Sequence, residues 1–401
     1  MIFHAVGRAG SMRDVYWVVA ENATPLPLDL LRDAFDPDEV QFLTGEEGVY
    51  FSIVSEETRV DVRFRAGTPA LPLPKDLITG SEKSHKLLKK AKSTYALSFS
   101  PIKPQPSVAV FEALWCARSI MEQVNSVLLD LTAYKLHDAD DVVEITELDF
   151  DVRDHVNLHA VEATEGPTPL WVHSHGLEKF GVRDVEAFHL GEDDLLAAET
   201  FLRELCTDLA FGHGPPLRAP VETSEGESFL LLPSEEGRLN LMGVPLDSFE
   251  GHEGLFYTVV AAGGRHTVAE LLKPYRERFN RESPEEREAL RAQAAEWLPA
   301  FKARFGRRGL MEPLAFLVRA PFESHPGKET TQEDLWLEVV SWEDGTLIGK
   351  LVDGGSFTTE WRKGAHVELD EGNVNALAVA RDGRTLDEDE TGELLEAERP
   401  M

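Results

Sequence analysis

Two hydrophobic periods run along this chain, one of two residues and one of three to four, and together they predict an α+β fold. The apolar run Val15–Ala20 suits a buried strand. Val49–Val54 and Val60–Phe64 flank the polar stretch SEET as a hairpin, with Arg59, Asp61, Arg63 and Arg65 alternating along the wet face of its second strand. Leu28–Phe35 and Ser81–Lys92 carry helical spacing, the latter with Ser81 as its cap. Tyr95–Phe99, the apolar-striped helix Ser107–Val124 and Val127–Leu131 then read as strand, crossover helix and strand.

Further on, the pattern predicts strands at Val142–Ile145, Val156–Val161 and Leu170–His173, a helix at Glu192–Leu209, strands at Ser228–Leu232 and Leu255–Ala261, and a helix at Val268–Phe279. A seam falls near residue 281, where Ser283 and Pro284 with two following acids form a helix start. The helix runs to about Phe305. Strands Leu314–Arg319, Leu335–Trp342, Leu347–Val352, Val367–Leu369 and Ala376–Ala380 follow, the second and third joined through Asp344–Gly345. The expected organisation is an N-terminal mixed sheet with packed helices over 1–280, a helix with a small antiparallel sheet or partial barrel over 281–385, and a solvated acidic tail over 386–401.

Composition narrows the function classes. The chain has 401 residues, 42% of them hydrophobic, enough for a true core. With 72 acidic and 40 basic residues the formal charge is −32. That balance disfavours nucleic acid and anionic membrane surfaces as partners and favours a protein partner with a basic surface. No apolar run reaches membrane-spanning length, and the N-terminal residues, broken by Arg8 and Arg13, lack the apolar segment of a secretion signal. Two cysteines, Cys116 and Cys206, exclude a disulfide framework and a four-cysteine zinc site, and both fall on apolar helix faces. The expected setting is the cytoplasm.

The C-terminal run EDLWLEVVSWEDGTLIGKLVD, followed by WRKGAHVEL, resembles a bacterial family known as domain of unknown function 2314. Carried on this sequence, the family's pattern is the helix Ala294–Phe305, the aromatic strand Phe316–Phe322, Trp336, the turn Asp344–Gly345, Gly349, and Lys363–Gly364 with Val367. The resemblance covers roughly 285–380 and departs at Asn375–Ala380, which lacks the tryptophan with which the family tends to end. Trp171–Phe188 is similar to a stretch in longer bacterial proteins that carry such C-terminal domains, some of them suspected immunity or interaction proteins. The resemblance implies a non-enzymatic interaction module and no catalytic residue.

The sharpest chemistry is His173-Ser174-His175-Gly176. On a strand, residues two apart share a face, so both imidazoles can reach one divalent metal such as zinc. A third ligand would come from Glu178, Glu186, His189, His155 or His159, with Glu178 the first choice as ligand or general base of a metal-dependent hydrolase. The competing reading is structural, with the two histidines bonded within the sheet and Gly176 making a turn. His213, in GHGPP after a helix, reads as a surface loop residue, and His252 and His266 have no partner at diagnostic spacing. Lys83, Lys86, Lys89, Lys90 and Lys92 read as a solvated basic face that neutralises nearby carboxylates. Ala262–Gly264 reads as a turn. Trp336 is expected in the core, while Trp342, Phe357 and Trp361 divide between core and an exposed binding face, with Trp342 and Trp361 the binding candidates. Nucleophile-elbow, phosphate-loop and dinucleotide motifs do not occur. Two functions remain: an immunity-type or adaptor interaction protein without a cofactor, or a metal-dependent hydrolase.

Overall fold

The computed structural model describes residues 13–396 apart from 74–76, 104, 166–167, 224–225, 247–251, 253, 263–267, 276–283, 309–313, 325–330, 353, 356–360 and 382–383. Arg8, Gly263 and Gly264, His266, the cap Ser283 and Phe357 lie outside the described residues. The fold is α+β, with three mostly antiparallel sheets among the described residues. Contacts divide the chain into two units, one of Met1–Glu147 with Val152–Arg276 and one of Leu148–Asp151 with Glu277–Met401.

The first unit opens with a seven-stranded sheet. Its strands are β1 Tyr16–Ala20, β2 Gln41–Leu43, β3 Phe51–Val54, β4 Thr58–Ala66, β5 Ser93–Pro101, β6 Ser126–Asp130 and β7 Lys135–His137, in the order β2-β3-β4-β5-β1-β6-β7. β1 pairs antiparallel with both β5 and β6, so those two run parallel with β1 between them. The helix Pro106–Met121 is the crossover that connects them, and it buries Val110, Ala113, Leu114, Ala117 and Ile120. The helix Glu82–Lys90 packs Leu87 and Leu88 against Trp17, Val19, Val127 and Leu129. Ser81 caps it by accepting from the Ser84 amide at 3.1 Å. Its basic face is solvated, with Lys83 paired to Asp138 at 3.1 Å and Lys86 to Glu82 at 2.7 Å.

The expected strand Val142–Ile145 is instead part of the helix Ala139–Glu147. Asp138 accepts from the amides of Asp140 and Asp141, and its own amide donates to Asp141 Oδ2 at 2.8 Å. This reciprocal capping nucleates a turn that puts Val142, Ile145 and Thr146 on one buried face, and it overrides the β-preference of the valines and isoleucine.

The second sheet of this unit contains β8 Asn157–Glu162, β9 Leu170–His175, β10 Asp184–Leu190, β11 Val221–Glu222, β12 Ser228–Pro233 and β13 Phe256–Ala261, in the order β11-β12-β13-β10-β9-β8. β10 and β13 pair in parallel and the other neighbours antiparallel. One face is covered by the helix Leu195–Ala210, which buries Phe201, Leu202, Leu205 and Cys206. A buried ion pair, Lys179 with Asp130, ties the turn after β9 to the end of β6, and Lys179 also donates to the His155 carbonyl at 2.6 Å.

The second unit packs the helix Pro284–Gly306 on an open sheet of β14 Leu314–Ser324, β15 Thr331–Glu343, β16 Thr346–Leu351, β17 His366–Asp370, β18 Ala376–Arg381 and β19 Arg384–Thr385. The order β17-β16-β15-β14-β18-β19 leaves two edges, so the sheet does not close into a barrel. Asp344 and Gly345 both take positive φ, 47° and 86°, as a two-residue hairpin turn of this hand requires. Phe301, Phe316, Val318, Leu337, Leu347 and Val379 form its core. Trp336 is half-buried beneath Arg319 rather than in that core, because β15 turns it to the opposite face from Leu335 and Leu337. No helix among the described residues is long and apolar enough to cross a membrane.

The acidic stretch after 386 is not wholly a frayed tail. Glu388–Glu396 is a helix whose start is capped reciprocally by Asp387 and Glu390. Leu386 and Leu395 join the apolar core at 5% and 2% exposure. Leu395→Ala is therefore expected to destabilise the second unit by about 2–5 kcal/mol. Denaturant unfolding of the full chain measures this, and a loss near zero would mean that the tail does not pack.

Candidate metal centre

β8 and β9 pair so that His159 lies opposite His173, and Asn157 opposite His175. Strand alternation sends His159, His173 and His175 to one face. The intervening Ser174 faces the other side, where its hydroxyl donates to Asp184 Oδ1 at 2.7 Å and accepts from the Val185 amide at 2.9 Å. These bonds lock β9 against β10 and fix which way the two histidines face. Gly176 then turns the chain at φ 126°, and a Cβ there would come within 2.3 Å of the His155 carbonyl oxygen, so only glycine fits.

A fourth imidazole arrives from outside the strands. His252, shortly before β13, brings its ring centroid to 4.7 Å from His173, 5.6 Å from His175 and 5.7 Å from His159. One nitrogen from each of His159, His173, His175 and His252 lies within 4.8 Å of the others. His173 is fully buried, His175 and His252 nearly so, and His159 half-buried. Trp171 stacks on His173 at 4.0 Å between ring centroids, and Tyr134 stacks on His175 at 4.4 Å.

Burial first, and then the neighbouring imidazoles, push His159, His173 and His175 toward the neutral form. His159 is lowered to about 4, His175 to about 3, and His173 well below the usual 6.5. Neutral rings keep a lone pair free to ligate. Nδ1 of His159, both ring nitrogens of His173 and Nε2 of His175 are buried without a hydrogen-bond partner in the protein. Each such atom costs about 1–3 kcal/mol. A cation accepting one lone pair from each ring would remove part of that cost.

The other sequence candidates are placed elsewhere. Glu186 lies opposite His173 on β10 but is saturated: Arg238 donates to it twice at 2.9 and 2.6 Å, Thr258 Oγ1 at 2.6 Å and Trp171 Nε1 at 3.1 Å. Glu178 lies on the turn after β9 with its side chain 60% exposed and pairs with Arg13 at 2.9 Å. His155 packs its ring edge-on against Phe180. His189 sits at φ 60° in the bulge of β10. Trp342 and Trp361 belong to the second unit, where both fringe its apolar core. Trp342 donates to Glu371 at 2.8 Å, and Trp361 donates to the Glu323 carbonyl at 2.9 Å. Cys116 and Cys206 are buried with their thiol pKa values pushed far up by burial, so neither is an activated thiol.

Sequence reasoning named three members of the cluster as candidates and set His252 aside. Its neighbours, Gly251, Glu253 and Gly254, carry no ligand spacing, and only the tertiary fold brings it to β9. No protein-family model matches the chain, and neither the curated proteins nor the solved structures give a match.

The lowered histidine values set a pH dependence. Between pH 6.5 and about 4 the unfolded chain takes up protons that the folded rings refuse, so acid favours unfolding. Chelator-treated protein is expected to be less stable at pH 5 than at pH 7.5, with a smaller difference in His173→Leu. Denaturant unfolding at the two pH values checks this. Equal slopes in the parent and the variant would contradict it.

Proposed function

We propose that this protein binds a transition-metal ion through His159, His173, His175 and His252, and that the ion is structural. The observation that carries the reading is the convergence of four imidazoles, three of them buried and one half-buried, each with a nitrogen within 4.8 Å of the others. An all-nitrogen set suits zinc, copper or nickel, and not magnesium or calcium, which take oxygen ligands. Four protein ligands complete a tetrahedral shell, the pattern of closed structural zinc sites. The ion supplies a crosslink among three chain segments. β8 contributes His159, β9 contributes His173 and His175, and the stretch before β13 contributes His252.

The hydrolytic alternative needs an open ligand position and a base beside it. Glu186 is spent on Arg238, Thr258 and Trp171, and Glu178 is paired with Arg13. That distribution favours the structural reading. The formal charge of −32 supports a second, compatible reading in which the surface docks a basic protein partner.

Protein prepared without a histidine tag is expected to bind one zinc per chain. A hundredfold excess over the dissociation constant would add about 2.7 kcal/mol of stability. His173→Ala and His252→Ala should each abolish stoichiometric binding. Elemental analysis and titration with a chromophoric chelator measure this, and a folded parent protein that binds no metal would refute the proposal. For the partner reading, any protein co-purified at low salt should be basic and should dissociate as salt rises. Salt-insensitive capture would count against it.

A further inference from the structure

The two nitrogens of His159 have different neighbours. Nε2 lies 2.9 Å from Asn157 Nδ2, two residues earlier on β8, whereas Nδ1 is buried without a hydrogen-bond partner. A neutral imidazole carries one proton, so these two positions are linked. With the amide nitrogen toward the ring, Nε2 accepts and the proton sits on Nδ1, which leaves Nδ1 no lone pair for a metal. With the amide turned end for end, Asn157 Oδ1 accepts from Nε2–H and Nδ1 is free to ligate. The second neighbour of the amide, a hydroxyl that donates to the Tyr134 carbonyl over a long 3.4 Å, accommodates the turned amide by redirecting that proton. Thr79 Oγ1 lies 3.3 Å from Asn157 Nδ2, and a hydroxyl donates as readily as it accepts.

We infer that Asn157 is the positioning residue that commits His159 to metal binding through Nδ1, by accepting the Nε2 proton on its side-chain oxygen. The inference rests on the metal-binding reading above. Loading then moves the ring proton from Nδ1 to Nε2 and turns the amide, with no net proton released from this residue. The arrangement follows the general rule that a ligating histidine donates its other N–H to an oxygen, which fixes both tautomer and ring orientation.

Two substitutions separate this role from simple packing. Asn157→Asp offers only acceptor oxygens, so it should bind zinc at least as tightly as the parent. Asn157→Leu keeps a similar shape without an acceptor and should lose about 10–100-fold in affinity. If the side chain instead donates to Nε2, Asn157→Asp would set two acceptors against each other and bind more weakly than Asn157→Leu. That order, or parental affinity in Asn157→Leu, overturns the inference. Affinity is read by competition with a zinc chelator. Imidazole nitrogen-15 NMR of the zinc-loaded parent supplies the direct readout, with His159 expected to be protonated at Nε2 and metal-bound at Nδ1. Ligation through Nε2 would also overturn it. A parent protein that binds no zinc fails the metal reading itself, and the inference with it. Zinc binding with the wrong variant order fails the Asn157 role alone.

Discussion

Four imidazoles converging on one face of the second sheet form the constraint on which the reading of this protein depends. Burial and the adjacent rings disfavour a proton on His159, His173 and His175. Several of their nitrogens have no hydrogen-bond partner in the protein, a condition rare in folded interiors. The proposed cation would account for these features together, because it needs deprotonated rings and converging lone pairs.

The surroundings hold the rings from several directions. Ser174 and Asp184 set the outward face of β9, while Trp171 and Tyr134 stack on the histidines they flank. Beside the site, Glu186 is neutralised by Arg238, whose guanidinium also lies within 5.7 Å of the ring centroids of Trp171, Phe188 and Phe256. With four donors on its two oxygens, Glu186 is already engaged and is not a free ligand for a cation. Lys179 and Asp130 fasten the turn that follows His175 to the neighbouring sheet. Removing one partner of such a pair leaves a buried charge, so these contacts specify geometry more than they add stability.

How much of this was legible depended on whether the signal was local. The H-S-H alternation announced a shared face, and β9 does present both rings on it. His159 was within view because Val156–Val161 reads as a strand. His252 was not, since nothing in its own neighbourhood marks it and its partners are distant in sequence. β10 was missed because Asp184, Glu186 and His189 interrupt its apolar run, and those polar groups are satisfied by tertiary contacts or accommodated by a bulge. The helices at Ala139–Glu147 and Glu388–Glu396 were missed where aspartate caps outweighed a β-rich or acidic composition. In the second unit the alternation was plain, and its five longer strands lie where the pattern predicted them.

X-ray absorption at the zinc edge of zinc-loaded, tag-free protein is the direct test of a four-imidazole site. A four-histidine site gives four nitrogen scatterers at about 2.0–2.1 Å with the outer-shell pattern of four imidazoles. A first shell with a carboxylate or water oxygen among its ligands, or with fewer than four imidazoles, would contradict it.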